Sequence, residues 1–375
     1  MITDIHIEGF KYFLSDRVKI APLTVLTGLN GSGKTSLIQA ILLLCAHTRT
    51  KDTTVPLNGP YGLELGTADD VLNKSCKSDI KITIHDSQAD KKYWELAIPN
   101  EDALYLNVLK QPPTDLPAFR SKARVFTFLS ADRLGPRGVS QTSSLANDDL
   151  EIGWRGEFCP YVMSVLGDKI LQHPERHHPS YKGSEPRLLK YEVEQWLSEI
   201  TREIEINAER PLGTTIAQLY FRTSGAEWAR ATNMGFGITY ALPIILGGLL
   251  AEPEGLFIVE NPEAHLHPAG QSRMGVFLAW LAGTGVQVII ETHSDHILNG
   301  IRRAIAEYAY LDSEKAIFNY FGEETQRISN DSQENSKIEP LTITKKGNIS
   351  NWPHGFFDQY QIDVASLGRI RRQKD

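Results

Sequence analysis

The residues best suited to chemistry lie near the N-terminus, where residues 28–35 read GLNGSGKT. This octapeptide matches the pattern GxxxxGK[ST], a loop whose backbone N–H groups cradle phosphate oxygens. In that pattern Lys34 brings a positive charge to the phosphates, and the Thr35 hydroxyl is placed on Mg²⁺. The alternative is a glycine-rich turn with an incidental lysine, and a chain of this length would match by chance in roughly 1% of cases. The spacing therefore predicts a phosphate and magnesium site.

Two later segments each place polar side chains at the end of an apolar run. In residues 256–268, LFIVENPEAHLHP, four apolar residues precede Glu260, and Glu263 follows three positions later. In residues 286–296, VQVIIETHSDH, another apolar run precedes His293. A strand that delivers a carboxylate next to a phosphate loop is a common way to hold Mg²⁺. A histidine after such a strand is as consistent with a structural role as with a catalytic one.

The elements around the first motif follow the order strand, loop, helix. Residues 18–26 are rich in β-formers and lead into the glycine loop, and residues 35–46 are apolar and uninterrupted by Gly or Pro, which predicts a helix of about three turns. Alternating apolar residues in 80–84 and 93–98 predict two antiparallel strands, and residues 124–130 predict a buried strand. Because further strands and helices alternate from residue 236 to 290, we expect a mostly parallel sheet.

Composition excludes several classes of protein. The chain has 375 residues, and 39 Lys and Arg against 46 Asp and Glu give a net charge of −7, which excludes a uniformly basic nucleic-acid-binding surface. The longest nearly apolar stretch, residues 238–251, falls short of the ~20 residues that a bilayer requires, so no membrane span is expected. Three dispersed cysteines without CxxC spacing indicate neither a disulfide framework nor a zinc site. No secretory leader is visible, and we expect a cytoplasmic protein.

Two weaker signals have both structural and functional interpretations. SADRLGPR, residues 130–137, predicts an Asp–Arg network that ties a strand end to the following segment, in preference to a direct nucleotide contact. HPERHHP, residues 173–179, contains three histidines, but without a matching carboxylate or cysteine a solvated loop is favoured over a metal site.

Taken together, the motifs resemble a known family. In chain order they are EGFKYF, GLNGSGKT, NMGFGITYALPI, ENPEAHLHP, ETHSDH and the terminal WPHGFFDQ. The chain resembles an ABC-type ATPase head of the group that contains RecF, the structural-maintenance-of-chromosomes (SMC) heads and the OLD-like ATPases. Within that group it is similar to short bacterial ATPases of anti-phage defence operons, such as the Septu ATPase. The resemblance covers residues 1–135 and 230–360 and leaves the segment between them almost unmatched.

The resemblance implies ATP and Mg²⁺ as cofactors and assigns roles to individual residues. It implies that Glu260, with Thr35, holds the metal, and that His293 senses the γ-phosphate. It places the 233–244 motif at the start of a helix that caps the ATP of a partner protomer, with the usual serine falling at Gly235 or Thr239. Residues 264–268 would then cross the dimer interface. The implied nucleotide-binding residues are Asn30, Gly31, Gly33, Lys34, Thr35, Ser36, Gly235 and Gly237.

The chain departs from the family pattern at two places. Asn261 stands where these ATPases commonly have the glutamate that acts as general base, and an amide cannot accept a proton. Glu263 is the candidate replacement, and the alternative is an acid that stabilises the N-terminus of the following helix. The metal-coupling glutamine expected near residues 57–73 is missing, and Asp69 or Asp70 is the candidate substitute.

The expected fold class is α/β, a P-loop NTPase of the ABC-ATPase head type, with a mostly parallel sheet, an antiparallel β lobe and a partly helical insertion. The expected divisions are an N-terminal lobe (1–135), an insertion (136–215), a C-terminal lobe (216–322) and a short terminal module (338–375).

The expected function is an ATPase with slow turnover that forms a homodimer or higher oligomer around ATP. The segment after His293 is too short for a metal-dependent nuclease domain and lacks a DxD cluster, so the regulated effector, expected to be a nuclease, would be a separate chain. The alternative is an ATP-gated structural clamp on DNA, which Asn261 favours, or a DNA repair or recombination ATPase of the RecF type. A small-molecule kinase agrees less well with the motifs.

Overall fold

The computed structural model describes residues 1–76, 78–329, 332–353, 356–357 and 363–367, with the backbone alone for 323–337. The WPHGFFDQ motif and the end of the 338–375 module therefore lie partly outside the described residues. The helices are α1 (Lys34–Thr50), α2 (Ala68–Val71), α3 (Cys159–Leu166), α4 (Leu189–Ile200), α5 (Phe236–Leu250), α6 (Pro268–Gly283) and α7 (Asp295–Ala306). The strands are β1 (Ile2–Phe10), β2 (Phe13–Lys19), β3 (Leu23–Gly28), β4 (Thr54–Pro56), β5 (Ile80–Asp86), β6 (Lys91–Ala97), β7 (Tyr105–Lys110), β8 (Phe126–Leu129), β9 (Ser140–Gln141), β10 (Glu205–Glu209), β11 (Ile216–Arg222), β12 (Ala229–Arg230), β13 (Leu256–Glu260), β14 (Gln287–Glu291), β15 (Ala316–Ser329) and β16 (Ser332–Thr342).

A mostly parallel sheet carries the sequence motifs. Its strand order is β16-β15-β3-β14-β13-β8, and β16 alone runs antiparallel to its neighbour. Alternate residues of β13 face two separate cores, because Phe257 and Val259 belong to one cluster of buried side chains and Leu256 and Ile258 to the other. Burial on both faces explains why this strand reads as a continuous apolar run.

A second, antiparallel sheet forms the β lobe, in the order β2-β1-β5-β6-β7-β4. The two strands predicted within residues 80–98 are confirmed as β5 and β6, which pair antiparallel. Helix α1 shares one core with this sheet, and the helix predicted over 35–46 is confirmed and continues to Thr50. It ends there because Lys51 adopts a left-handed conformation with φ of 58°.

The segment predicted as an insertion is packed into the larger core. It supplies α3, α4 and strands of a small sheet in which β11 pairs with β9, β10 and β12. The longer helix of this predicted, partly helical insertion is α4, which ends at Ile200. Trp196 of α4 lies against Phe277 and Trp280 of α6, with ring centroids 5.0 and 4.7 Å away.

The expectation of a solvated HPERHHP loop is wrong. Arg176 is fully buried and donates hydrogen bonds to the carbonyl oxygens of Leu249 and Ala251 at the end of α5. His177 and His178 both contact the Glu192 carboxylate of α4. His177 Nδ1 lies 3.1 Å from Glu192 Oε1, and the His178 N–H donates to Glu192 Oε2 at 2.6 Å. These partners come from distant parts of the chain, so the local composition of the segment does not reveal its burial.

No helix among the described residues is both long and apolar enough to cross a bilayer. The apolar stretch 238–251 lies almost entirely in α5, where most of its side chains are buried in the protein core.

Candidate nucleotide site

The GLNGSGKT loop joins β3 to α1 and requires its glycines. Gly28, Gly31 and Gly33 have φ angles of 132°, 74° and 105°, which side chains rarely allow. A Cβ at Gly28 would lie 2.1 Å from the carbonyl oxygen of Phe321, the residue of β15 whose carbonyl accepts a hydrogen bond from Leu29 N–H. The loop conformation therefore depends on its glycines, and the start of the loop is fixed by its contacts with β15.

Lys34 occupies the interior of this loop. Its side chain is only 3% exposed, and Nζ donates to the carbonyl oxygens of Gly28, at 3.1 Å, and Leu29, at 2.6 Å. Burial lowers the pKa of Lys34, and the nearby Glu291 opposes that shift. An ammonium group, glycine backbone and the N-terminus of a 17-residue helix thus meet at one point, a combination suited to a phosphate anion.

Two carboxylates lie side by side at the ends of β13 and β14. The parallel register pairs Glu260 with Glu291. The Thr35 hydroxyl donates to Glu291, with distances of 2.9 and 3.1 Å to its two oxygens, whereas Glu260 Oε2 accepts from the Ala131 N–H at 2.9 Å. The carboxylate at Thr35 is therefore that of Glu291, which the sequence analysis did not select. The signal that could have found it is the one used for Glu260, an acid that ends an apolar run.

The electrostatics around these carboxylates suit a cation. Burial, together with the negative charges of Glu260 and Glu263, raises the pKa of Glu291 to about 7, and burial also raises the pKa of Glu260. Among the described residues, no three His, Cys, Asp or Glu side chains lie together as a complete metal site. Mg²⁺ commonly uses one or two carboxylates and takes its other ligands from phosphates and water, so Thr35 and these carboxylates fit a nucleotide-bound Mg²⁺.

Glu263 and His293 are brought together by the loop after β13. Glu263 Oε2 accepts from the Thr292 hydroxyl at 2.8 Å, and Oε1 accepts from the His293 N–H at 3.0 Å. Because α6 begins only at Pro268, Glu263 lies outside its first turn, and the interpretation as an acid at that helix N-terminus is wrong. Partial desolvation lowers the pKa of the exposed His293, as does the charge of Lys34, while Glu263 opposes the shift; the net effect favours the neutral imidazole.

Arg133 explains the role of the SADRLGPR segment. It is 1% exposed, and its guanidinium donates to the carbonyl oxygens of Ser130, Glu260 and Asn261 at 2.8, 2.6 and 2.6 Å. These contacts hold Asn261 at a φ of 42°. Asp132 forms an ion pair with Arg155 at 2.8 Å, which ties the strand end to the following segment as predicted.

The 233–244 motif opens a helix, as expected. Gly235 occupies the N-cap position of α5, whereas Thr239 is buried and donates to the Phe236 carbonyl at 3.0 Å. Gly235 is therefore the position at the helix start, which the sequence left open. A Cβ at Gly237 would lie 2.8 Å from the His265 carbonyl oxygen, because loop 264–268 packs against this end of α5.

Asp69 and Asp70 are both engaged locally. The Asp70 carboxylate accepts from the N–H and hydroxyl of Thr67 in a capping box of α2, and Asp69 forms an ion pair with Lys74 at 2.6 Å. These contacts account for both acids without a metal, so they give no support to a metal-coupling role.

Comparison with protein families identifies the class. A family model described as an AAA ATPase domain matches residues 1–122 and 182–298, more than half of the chain. The chain belongs to this family. The matched residues of this AAA ATPase domain include the P-loop and the ends of β13 and β14. A second model, described as a protein of unknown function (DUF3696), matches residues 311–367, which include β15 and β16.

Solved structures show the fold of this AAA ATPase domain. An Smc head bound to the C-winged helix domain of ScpA has a TM-score of 0.52 and 12% identity, with 92% of this chain and 98% of that chain covered. The fold is therefore that of an SMC head, the predicted ABC-ATPase class. Also similar are the SMC head domain from Thermotoga maritima (TM-score 0.43, 12% identity, 91% and 98% covered) and an Smc head with an extended coiled coil bound to the C-terminal domain of ScpA derived from Pyrococcus furiosus (0.48, 11%, 99% and 99%). None of the curated protein sequences matches the chain.

Proposed function

We propose that this chain is an ABC-type ATPase that dimerises around ATP, hydrolyses it slowly and regulates a separate effector in anti-phage defence. The observation that carries the ATPase part is the meeting of the Lys34 loop and Thr35 with Glu291 and His293 at the ends of two neighbouring strands, β3 and β14. A cation, metal-binding oxygens and an imidazole at one edge of a parallel sheet can position a phosphate and stabilise the charge that develops during its transfer to water.

Each group has a distinct part in this proposal. The loop amides around Gly31 and Gly33 and the Lys34 ammonium bind the phosphates, and Asn30 and Ser36 border them. Thr35 and a carboxylate at the strand ends would hold Mg²⁺, which when bound would neutralise phosphate charge. His293 contacts the terminal phosphate, and Glu263, fixed beside it, orients the attacking water.

Slow turnover follows from Asn261. Its amide cannot accept a proton, and Arg133 and the Glu291 carbonyl hold its backbone in place, because Asn261 N–H donates to that carbonyl at 2.8 Å. The remaining base, Glu263, already accepts two hydrogen bonds. An ATP-bound state that persists suits a switch that waits for a signal.

Dimerisation is expected because the start of α5 is exposed and so accessible to a second copy of the chain. Gly235 is exposed, and the adjoining Phe236 is 54% exposed beside loop 264–268. N–H groups at a helix start are anion ligands, and here they would reach the γ-phosphate held by a second copy. We expect a non-hydrolysable ATP analogue with Mg²⁺ to tighten the homodimer at least ~10-fold, or about 1.4 kcal/mol, in analytical ultracentrifugation.

Gly235 offers a sharp variant for this experiment. A Cβ built at Gly235 meets no atom within 4 Å, so we expect Gly235→Trp to leave the monomer folded and to fill the space that a partner's nucleotide would need. Gly138→Trp is the matched control, since Gly138 is equally open. Loss of the ATP effect in the first variant and its retention in the second is expected. Equal dimer affinity with and without the analogue in the parent chain would refute dimerisation around ATP.

The effector and its setting extend the proposal beyond the site. A similar SMC head is bound to the winged-helix domain of another protein, which supports action through a separate partner here. The second candidate, an ATP-gated clamp on DNA, is favoured by Asn261. Affinity purification of the parent chain and of Gly235→Trp from host cells, followed by mass spectrometry, should recover a nuclease with the parent alone. Recovery of DNA without a nuclease, together with negligible turnover, would favour the clamp.

A further inference from the structure

Glu291 lies at the site, but the family resemblance gave it no role. It ends β14, between the P-loop strand β3 and the strand that carries Glu260. Its side chain is 6% exposed, and both of its oxygens lie within hydrogen-bond distance of the Thr35 hydroxyl. A buried carboxylate therefore faces the hydroxyl that the P-loop pattern places on Mg²⁺.

Glu260 is restrained differently. Its carboxylate accepts the Ala131 N–H at the end of β8, the edge strand beyond β13, and its carbonyl accepts from Arg133. Both contacts fix Glu260 to the side of the site that is farther from β3 in the sheet order. The strand order places Glu291, and not Glu260, next to the P-loop strand.

We propose that Glu291 is the carboxylate that, together with Thr35, holds the divalent cation in this chain, a role that the resemblance gave to Glu260. This inference rests on the proposed ATP-binding function. Glu260 then acts as a positioning residue that fixes the end of β8 beside the site. The Asn261 N–H donates to the Glu291 carbonyl. Asn261, the position without the usual carboxylate, is therefore directly bonded to the residue that carries one at the end of β14.

The test measures equilibrium binding, not turnover. A fluorescent non-hydrolysable ATP analogue is titrated in EDTA and in excess Mg²⁺ against the parent chain, Glu291→Gln, Glu260→Gln and the control Glu254→Gln, an exposed carboxylate near the opposite end of β13. We expect Glu291→Gln to lose ~10- to 100-fold of the affinity gained with Mg²⁺ while its affinity in EDTA is unchanged. Glu260→Gln should lose less of that gain, and Glu254→Gln none.

A double-mutant cycle separates metal binding from a structural effect. If Thr35 and Glu291 hold one ion, Thr35→Ala combined with Glu291→Gln should lose no more of the Mg²⁺-dependent gain than the larger single loss. Additive losses would overturn the proposal, as would a full Mg²⁺ gain in Glu291→Gln with its loss in Glu260→Gln. Thermal unfolding of each variant checks that it is folded. Failure of the parent to bind the analogue in either buffer would instead refute the ATP-binding function itself.

Discussion

Replacing Lys34 with alanine is expected to abolish ATP binding. Lys34 is the one residue of the GLNGSGKT loop with a cationic side chain, and its ammonium group is already buried where phosphates would lie. A charge-assisted hydrogen bond contributes roughly 1.5–3 kcal/mol, and the ammonium can reach more than one phosphate oxygen, so a loss of about 100-fold or more is expected. Isothermal titration calorimetry with ATP and Mg²⁺ measures it directly.

The control for this prediction is Lys19→Ala, which removes an exposed lysine from β2. Lys34→Ala also leaves the carbonyls of Gly28 and Leu29 without their donor, so its unfolding should be followed as well. Nucleotide affinity equal to that of the parent chain in a folded Lys34→Ala variant would refute the assignment of the loop.

The second large effect is expected on turnover. Glu263→Gln should lower the single-turnover rate by ~10² to 10⁴ while ATP affinity stays the same, because loss of a positioned general base affects the chemical step alone. Glutamine keeps the shape of the side chain and one acceptor oxygen for Thr292 or the His293 N–H. Rapid-quench measurement of hydrolysis, with affinity measured in parallel, separates the two quantities.

Two comparisons make this prediction decisive. Glu291→Gln, which changes the carboxylate beside Thr35, should lower ATP affinity in Mg²⁺ and turnover together, unlike Glu263→Gln. If Glu263→Gln hydrolyses ATP as fast as the parent chain but His293→Ala does not, His293 is the group that orients water. If all of these variants share a rate near zero even with the effector present, the clamp is the better account.

Local patterns were sufficient to predict much of the fold and part of the site. The P-loop, α1 and the buried strands β13 and β14 follow from apolar runs and glycine spacing, which depend on neighbours in sequence. The contact between Thr35 and Glu291 depends on which strands are adjacent, and that order is set by packing across the sheet. The sequence therefore predicted Glu260, an acid at the end of a buried strand, but not Glu291, the acid beside Thr35.

Burial of polar residues was the other limit. The HPERHHP segment has the composition of a loop, yet Arg176 is buried because backbone carbonyls at the end of α5 accept its hydrogen bonds. Arg133 is buried for the same reason, with carbonyls of Glu260 and Asn261 as partners. Burial of a cation is costly without hydrogen-bond partners, and partners that are distant in sequence cannot be seen in a local pattern.

The position of β3 determines when the nucleotide site can form during synthesis. This strand lies near the start of the chain, but its neighbours β14 and β15 are both made much later. Until residues 316–321 leave the ribosome, the strand that leads into the P-loop has an open edge, and Gly28 lacks the Phe321 carbonyl that it packs against. Pairing between residues so distant in sequence forms late, so in a nascent chain, or in one that ends before β15, the start of the P-loop lacks the strand that fixes it.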